Sequence, residues 1–286
     1  MLSILDVFRV GIGPSSSHTV GPIRIGARFL ERLSRLGVNS QTHRITARLE
    51  GSLALTGVGH ATPRAVIYGL LGYAPETMDA DAAQSDLNTV YADKRLNLNG
   101  RAIGFDPDVD IIFDFETLSD IHPNGLELIA YGQDDAVLTS QMYYSTGGGF
   151  IASREQMQTP VDNDIVPTAA TVPFAFGSAK ELLAHCDGQE TSIADIIYAN
   201  EDAMRAREQT DAALDNTVTI MMACIERGLT TPGILPGGLE VKRRAPKLWD
   251  KLLEAPLSNE RESLFDWLNV YAMAVNEENA NGGKVV

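Results

Sequence analysis

The chain has 286 residues, 44% of them hydrophobic, and 38 acidic against 23 basic side chains give a net charge of −15. That length suits one large or two medium domains, and the acidic balance argues against nucleic acid as a partner, because it repels phosphate backbones. Cys186 and Cys224 are too few for a disulfide framework, and no apolar run approaches the roughly 18 residues of a membrane span, so a cytoplasmic protein with no membrane partner is expected.

In chain order, the opening MLSILDVFRV lacks a basic region and a small-residue cleavage site, so no signal peptide is expected. Val20, Ile23, Ala27 and Leu30 share one face of a predicted helix over about 17–36, and a second helix is expected near 62–72. HRITARLEG alternates Ile45, Ala47 and Leu49 with polar residues and reads as a strand. Asn99-Gly100 signals a hairpin. VDIIFDF (109–115) reads as an apolar strand, and the stretch from 124 to 150 as two strands joined at 132–135. Together these predict an α+β protein whose residues 1–151 form a mixed α/β sandwich with a largely antiparallel sheet. Residues 152–175 hold three prolines with little periodicity and read as a linker.

Residues 176–286 read as a mainly helical domain. Ser178 with Glu181, and Asn259 with Glu262, fit helix starts in which side chains meet free N–H groups. A long helical stretch is expected over 192–228, and a buried helix over 264–275. In the closing NEENANGGKVV a helix ends in a polar turn, and Val285-Val286 start a further apolar element. The helical domain is therefore expected to be truncated.

The chemistry-bearing segments are short. GPSSSHT sets Ser15, Ser16, Ser17, His18 and Thr19 at the start of a predicted helix. One serine suffices as a cap. The surplus hydroxyls suit an anion at a helix N-terminus, and His18 adds a group that titrates near neutrality. A serine nucleophile is disfavoured, since the G-x-S-x-G elbow is absent. In GSLALTGVGHATP, Gly57 and Gly59 admit close backbone approach beside His60, whereas a lone structural histidine is the plainer reading. HPNG (122–125) is a turn with His122 to spare. YYSTGGGF carries Ser145, Thr146 and Gly147 into a glycine loop that suits an anion or a hinge. VKRRA concentrates Lys242, Arg243 and Arg244 in an otherwise acidic chain, as a carboxylate grip or as a solvated helix end. Asn279 and Lys284 lie in the last glycine-rich turn.

Taken in order, GIGPSSSHTVGP, GSLALTG with GH, HPNG, STGGGF, LPGGLEVKRRA and NEENANGGKVV resemble bacterial iron–sulfur L-serine dehydratases of the single-chain type. The resemblance covers the whole chain. It implies a β domain over 1–151, similar to the allosteric substrate-binding domain of some phosphoglycerate dehydrogenases, and the first part of a helical α domain over 176–286. It implies a PLP-free ammonia-lyase of amino-acid catabolism, leading towards gluconeogenesis. In that chemistry a [4Fe–4S] cluster held by three cysteines acts as Lewis acid on the hydroxyl of L-serine. Its residue matches are His60 and His18 as catalytic groups, with Ser15, Ser16, Ser17, Thr19, Ser145, Thr146, Gly147, Lys242, Arg243, Asn279 and Lys284 around the substrate. Cys186 and Cys224 do not match the cluster ligands, which are expected beyond residue 286, so no metal ligand is assigned here. The 286-residue chain alone is expected to be inactive, and a homo-oligomer is the expected assembly. Where the family reads Gly-His-Gly-Thr-Asp, this chain has GHATP, with Ala61 and Pro63. A non-catalytic serine-binding or regulatory module is the rival reading.

Overall fold

The alternation at Ile45, Ala47 and Leu49 builds the middle strand of a mixed sheet in the structure, a computed structural model. Residues 3–158, 171–236, 240–254 and 260–286 are described. The chain divides into two compact units, one of residues 1–10, 160–223 and 286, the other of residues 11–159 and 224–285.

In the larger unit the strands are β1 (Gly11–Ile12), β2 (Arg44–Gly51), β3 (Arg95–Leu98), β4 (Arg101–Gly104), β5 (Ile111–Asp114), β6 (Asn124–Tyr131), β7 (Val137–Gly147), β8 (Phe150–Ser153) and β9 (Lys284–Val285). The main sheet runs β3-β4-β2-β6-β7-β8, with β5 also pairing β2. β2 is parallel to β4 and β5 and antiparallel to β6. Its register sets Ile45 opposite Ala130, Ala47 opposite Leu128 and Leu49 opposite Leu126. Directly opposed residues share a face, so these six fully buried side chains form one apolar layer. The Gly21–Leu36 helix, with Pro22 in its first turn and Gly37 as a left-handed cap, contributes Ile23, Phe29 and Leu33 to the same core. It crosses the Thr62–Leu70 helix at Gly26 and Gly69, where an added Cβ on Gly26 would lie 2.6 Å from the Gly69 carbonyl carbon. This crossing brings the starts of both helices, and hence His18 and His60, to one place.

The α+β class, a main sheet antiparallel in most of its pairs and the helical C-terminal region follow the sequence reading. So do the hairpin, with Asn99 at φ 51° and Gly100 at φ 85°, and the β6–β7 pair. Four local expectations need correction. The strand at 109–115 shortens to Ile111–Asp114, because Asp106 caps a helical turn at Pro107–Asp110 by accepting from Asp108 N. The helices in this region exceed the two expected; the Ala80–Asp93 helix, capped by Asp79, buries Ala83, Leu87 and Val90 at helical spacing. Irregular chain does not begin at 152: Ala152 and Ser153 pair with Tyr144 and Tyr143, and Arg154–Gln158 is a helical turn. Helix Glu260–Ala280 leaves Leu264, Phe265 and Leu268 more than half exposed, so its 264–275 segment is buried at Val270 and Ala274 only in part of its length.

In the smaller unit Ser178 caps the Ala179–Gln189 helix as expected. The stretch from 192 breaks into Ile193–Asp202 and Arg207–Thr230, the latter belonging to the larger unit from residue 224 on. Glu201 is buried and accepts from Ser3 Oγ at 2.8 Å and Ile4 N at 2.7 Å, and it pairs with Arg205. The expected helix start at Asn259 and much of the 152–175 segment lie outside the described residues.

Candidate active site

Ser15 caps the segment that follows it: its Oγ accepts from His18 N at 3.1 Å, and its carbonyl accepts from the amides of Thr19 and Val20. The turn Ser16–Val20 is wound wide, with Gly21 N–H donating back to Ser16 O. Wide turns of this kind recur at functional sites. Here the winding buries His18 and Thr19 and leaves Ser16 exposed. The amides of His18, Thr19 and Val20 are thus satisfied, and the segment presents hydroxyls and an imidazole rather than a bare amide nest.

Both ring nitrogens of His18 are engaged. Nδ1 meets Ser17 Oγ at 2.9 Å; Nε2 meets Ser52 Oγ at 3.1 Å, Thr56 Oγ1 at 3.0 Å and Ser52 O at 3.3 Å. Thr56 Oγ1 donates to Ser52 O at 2.9 Å, so it accepts from His18 Nε2–H, and Ser17 donates to Nδ1. Ser52 and Thr56 sit four apart on one short helix, Ser52–Leu55 with Thr56 as its cap, and so face the same way.

His60 lies 4.9 Å from His18, ring centre to ring centre. Its Nδ1 is 2.9 Å from Thr56 O. A carbonyl only accepts, so Nδ1 carries a proton, and in the neutral ring Nε2 is the nitrogen with the lone pair. The loop is tied down by Thr19 Oγ1 donating to His60 O at 2.9 Å and Thr62 Oγ1 donating to His18 O at 2.8 Å. Ala61 has φ 57°, in the left-handed region that favours glycine.

The remaining sequence candidates fall into two groups. Ser145 is wholly buried at the entry of the Gly21–Leu36 helix, where a Cβ on Gly21 would collide with its Oγ, and that Oγ has no hydrogen-bond partner. Asn124 Nδ2 donates to Ser145 O at 3.0 Å, so the HPNG turn holds this serine in place. Asn279 Nδ2 donates to Pro14 O at 3.0 Å, Gly13 N donates to Gly283 O at 3.0 Å, and β1 pairs with β9 through Ile12 and Lys284. Gly13 is required there, since a Cβ would strike the Asn279 carbonyl. These contacts close the two ends of the unit over one another beside His18. Thr146 is exposed, and Gly147 opens a run of three left-handed glycines at φ 97°, 57° and 73°. Lys242 is exposed with its backbone bridged to Ile234, and Arg243 is buried against Glu278. Ser52, Thr56, Thr62 and Asn124 were not singled out from the sequence; the i, i+4 spacing of the first two was the available signal.

Burial holds His18 below the ordinary histidine value near 6.5, His60 pushes the same way, and the Ser52 backbone opposes both. The folded protein therefore binds this proton more weakly than the unfolded chain. The contribution of neutral His18 is complete above the ordinary value and is lost as pH falls from there through the depressed one. Proton-detected titration is expected to place the His18 midpoint below 6.5, and His60→Gln to move it upward. A midpoint at or above the ordinary value would remove burial as the dominant influence.

Among the described residues no group of three or more His, Cys, Asp or Glu side chains gathers as a metal site, and Cys186 and Cys224 are free and buried. No helix among them is long and apolar enough to cross a membrane. Residues 3–156 match the family Serine dehydratase beta chain, and residues 188–286 match Serine dehydratase alpha chain. The chain is 41% identical over 289 residues to L-serine dehydratase 1 of Escherichia coli, covering 100% of this chain and 62% of that protein. It is 39% identical over 289 residues to an L-serine dehydratase of Haemophilus influenzae and 37% identical over 286 residues to one of Streptomyces coelicolor, with the same coverage. The chain thus spans 62% of the length of these curated relatives.

Proposed function

From the premise that the chain belongs to the serine dehydratase family, we propose that it carries the substrate-handling part of a cytoplasmic, homo-oligomeric L-serine ammonia-lyase. The reaction converts L-serine to pyruvate and ammonia. Loss of the α-proton and of the β-hydroxyl as water gives aminoacrylate, which tautomerises to an imine that water hydrolyses. The observation that carries the reading is His60: its Nδ1–H is committed to Thr56 O at 2.9 Å, which leaves Nε2 as a base beside the half-buried hydroxyls of Ser17 and Ser52. Ser15, Ser17, Thr19 and Ser145 orient the substrate in this reading, and the Asn279–Lys284 turn excludes water.

The [4Fe–4S] cluster belongs to the proposal with ligands outside this chain. Two cysteines are fewer than such a cluster takes, so the residues present do not fit it. The same shortage favours the serine-binding or regulatory reading for the 286-residue chain by itself.

The test is anaerobic pyruvate formation from L-serine by the full gene product, with iron and sulfide supplied. Turnover that disappears when iron is withheld supports the lyase. L-Serine binding without pyruvate would replace it with the regulatory module. The 286-residue chain treated in the same way is expected to form no pyruvate and show no cluster absorbance.

A further inference from the structure

Among the described residues an arginine with no carboxylate partner stands where the Gly13 and Asn279–Lys284 loops meet. Arg64 lies in the first turn of the Thr62–Leu70 helix, four residues after His60. Its Nε is buried and has no hydrogen-bond partner. Among the described residues no carboxylate pairs with it, although Arg24, Arg44, Arg205 and Arg243 each find one. In a chain of net charge −15, acidic partners are plentiful. Leaving a partly buried guanidinium unpaired costs stability, and such an arrangement persists most readily where a ligand supplies the missing anion.

The position of the guanidinium is constrained. A Cβ on Gly282 would collide with Arg64 Nη2 and lie 3.6 Å from Gly13 O. Gly282, at φ 82°, therefore leaves room for the guanidinium at the junction of the Gly13 and Asn279–Lys284 loops. The basic residues in VKRRA are placed differently. Arg243 is matched by Glu278, and Lys242 is solvent-exposed.

We propose that Arg64 receives the carboxylate of the substrate. This rests on the serine-dehydration reading and adds to it a requirement for a free α-carboxylate. A guanidinium offers two parallel donors to a carboxylate, which an ammonium group cannot reproduce. Arg64 then fixes the carboxylate end of the amino acid, four residues along the chain from His60.

The test uses the 286-residue chain and two probes, L-serine and L-serinamide, whose carboxamide has the same shape without the charge. Binding is followed by titration calorimetry and by the ¹⁵N–¹H signal of Arg64 Nε, assigned through its loss in Arg64→Lys. L-Serine is expected to shift that signal and to bind at least about tenfold more tightly than L-serinamide, the ratio that one lost charge-assisted bond produces. Arg64→Lys is expected to weaken L-serine about tenfold or more and to leave L-serinamide unchanged. Equal binding of the two probes by the wild-type chain would overturn the assignment without any variant, so a misfolded Arg64→Lys does not protect it. Unchanged L-serine affinity in a folded Arg64→Lys would overturn it as well, and in both cases the serine-binding reading survives. A wild-type chain that binds neither probe removes that reading and this inference together.

Discussion

Arg243→Ala is expected to lower the unfolding free energy of the larger unit by about 3–5 kcal/mol, the usual cost of stranding one member of a buried ion pair. The Arg243 side chain is 3% exposed and its partner Glu278 is 5% exposed. Glu278 Oε2 also receives Arg227 Nε at 3.1 Å, but that arginine is 46% exposed. The alanine variant therefore leaves a buried carboxylate with a single, solvated partner. That partner keeps the loss towards the lower end of the range. Arg227→Ala keeps the buried pair and is expected to cost no more than about 1 kcal/mol, as for a half-exposed ion pair. Urea unfolding of both variants checks the contrast. Equal small losses would mean that Glu278 is neutralised by other means. Glu278 also precedes Asn279, so the same variant is expected to loosen the Asn279 bond to Pro14 O.

What the sequence disclosed depended on how local the cause was. Asn99-Gly100 specifies its hairpin through two residues that tolerate positive φ. Ile45, Ala47 and Leu49 specify a strand through a period of two, whatever strand lies beside them. The Ala80–Asp93 helix gave a weak signal, because ADAAQSDLNTVYAD holds only scattered large apolar residues; its Asp79 cap and tertiary burial of Leu87 and Val90 decide it. In the site, Ser15 as a cap and the proximity of His18 to a helix start could be read directly. The partners of His18 could not, since Ser52 and Thr56 reach it across 34 and 38 residues. Arg64 is the furthest from sequence reading. Its importance lies in a buried Nε without a hydrogen bond and in the lack of a carboxylate partner among the described residues, and that becomes visible only once Asn279 has met Pro14 across 265 residues.

The sharpest functional contrast is between the two histidines. His60→Ala in the full gene product is expected to lower kcat by about 10²–10⁴-fold, the usual contribution of a general base, with cluster content unchanged. The reason is the tautomer. Thr56 O accepts a hydrogen bond from His60 Nδ1–H at 2.9 Å, so in the neutral ring Nε2 is the nitrogen that can accept a proton from the substrate. His18 is placed for another task. Its nitrogens are spent on Ser17, Ser52 and Thr56, and burial disfavours the charged ring it would become on accepting a proton. His18→Ala is therefore expected to raise KM more than it lowers kcat, because it releases three hydroxyl-bearing side chains that its ring aligns. Exchange of the α-hydrogen of L-serine with solvent separates the roles further. It should slow in His60→Ala in step with kcat and persist in His18→Ala, since removal of the α-proton needs the base alone. Were His18→Ala to abolish both turnover and exchange while His60→Ala left them intact, the base would be His18. Thr56, which contacts both rings, would then be the residue that tunes it.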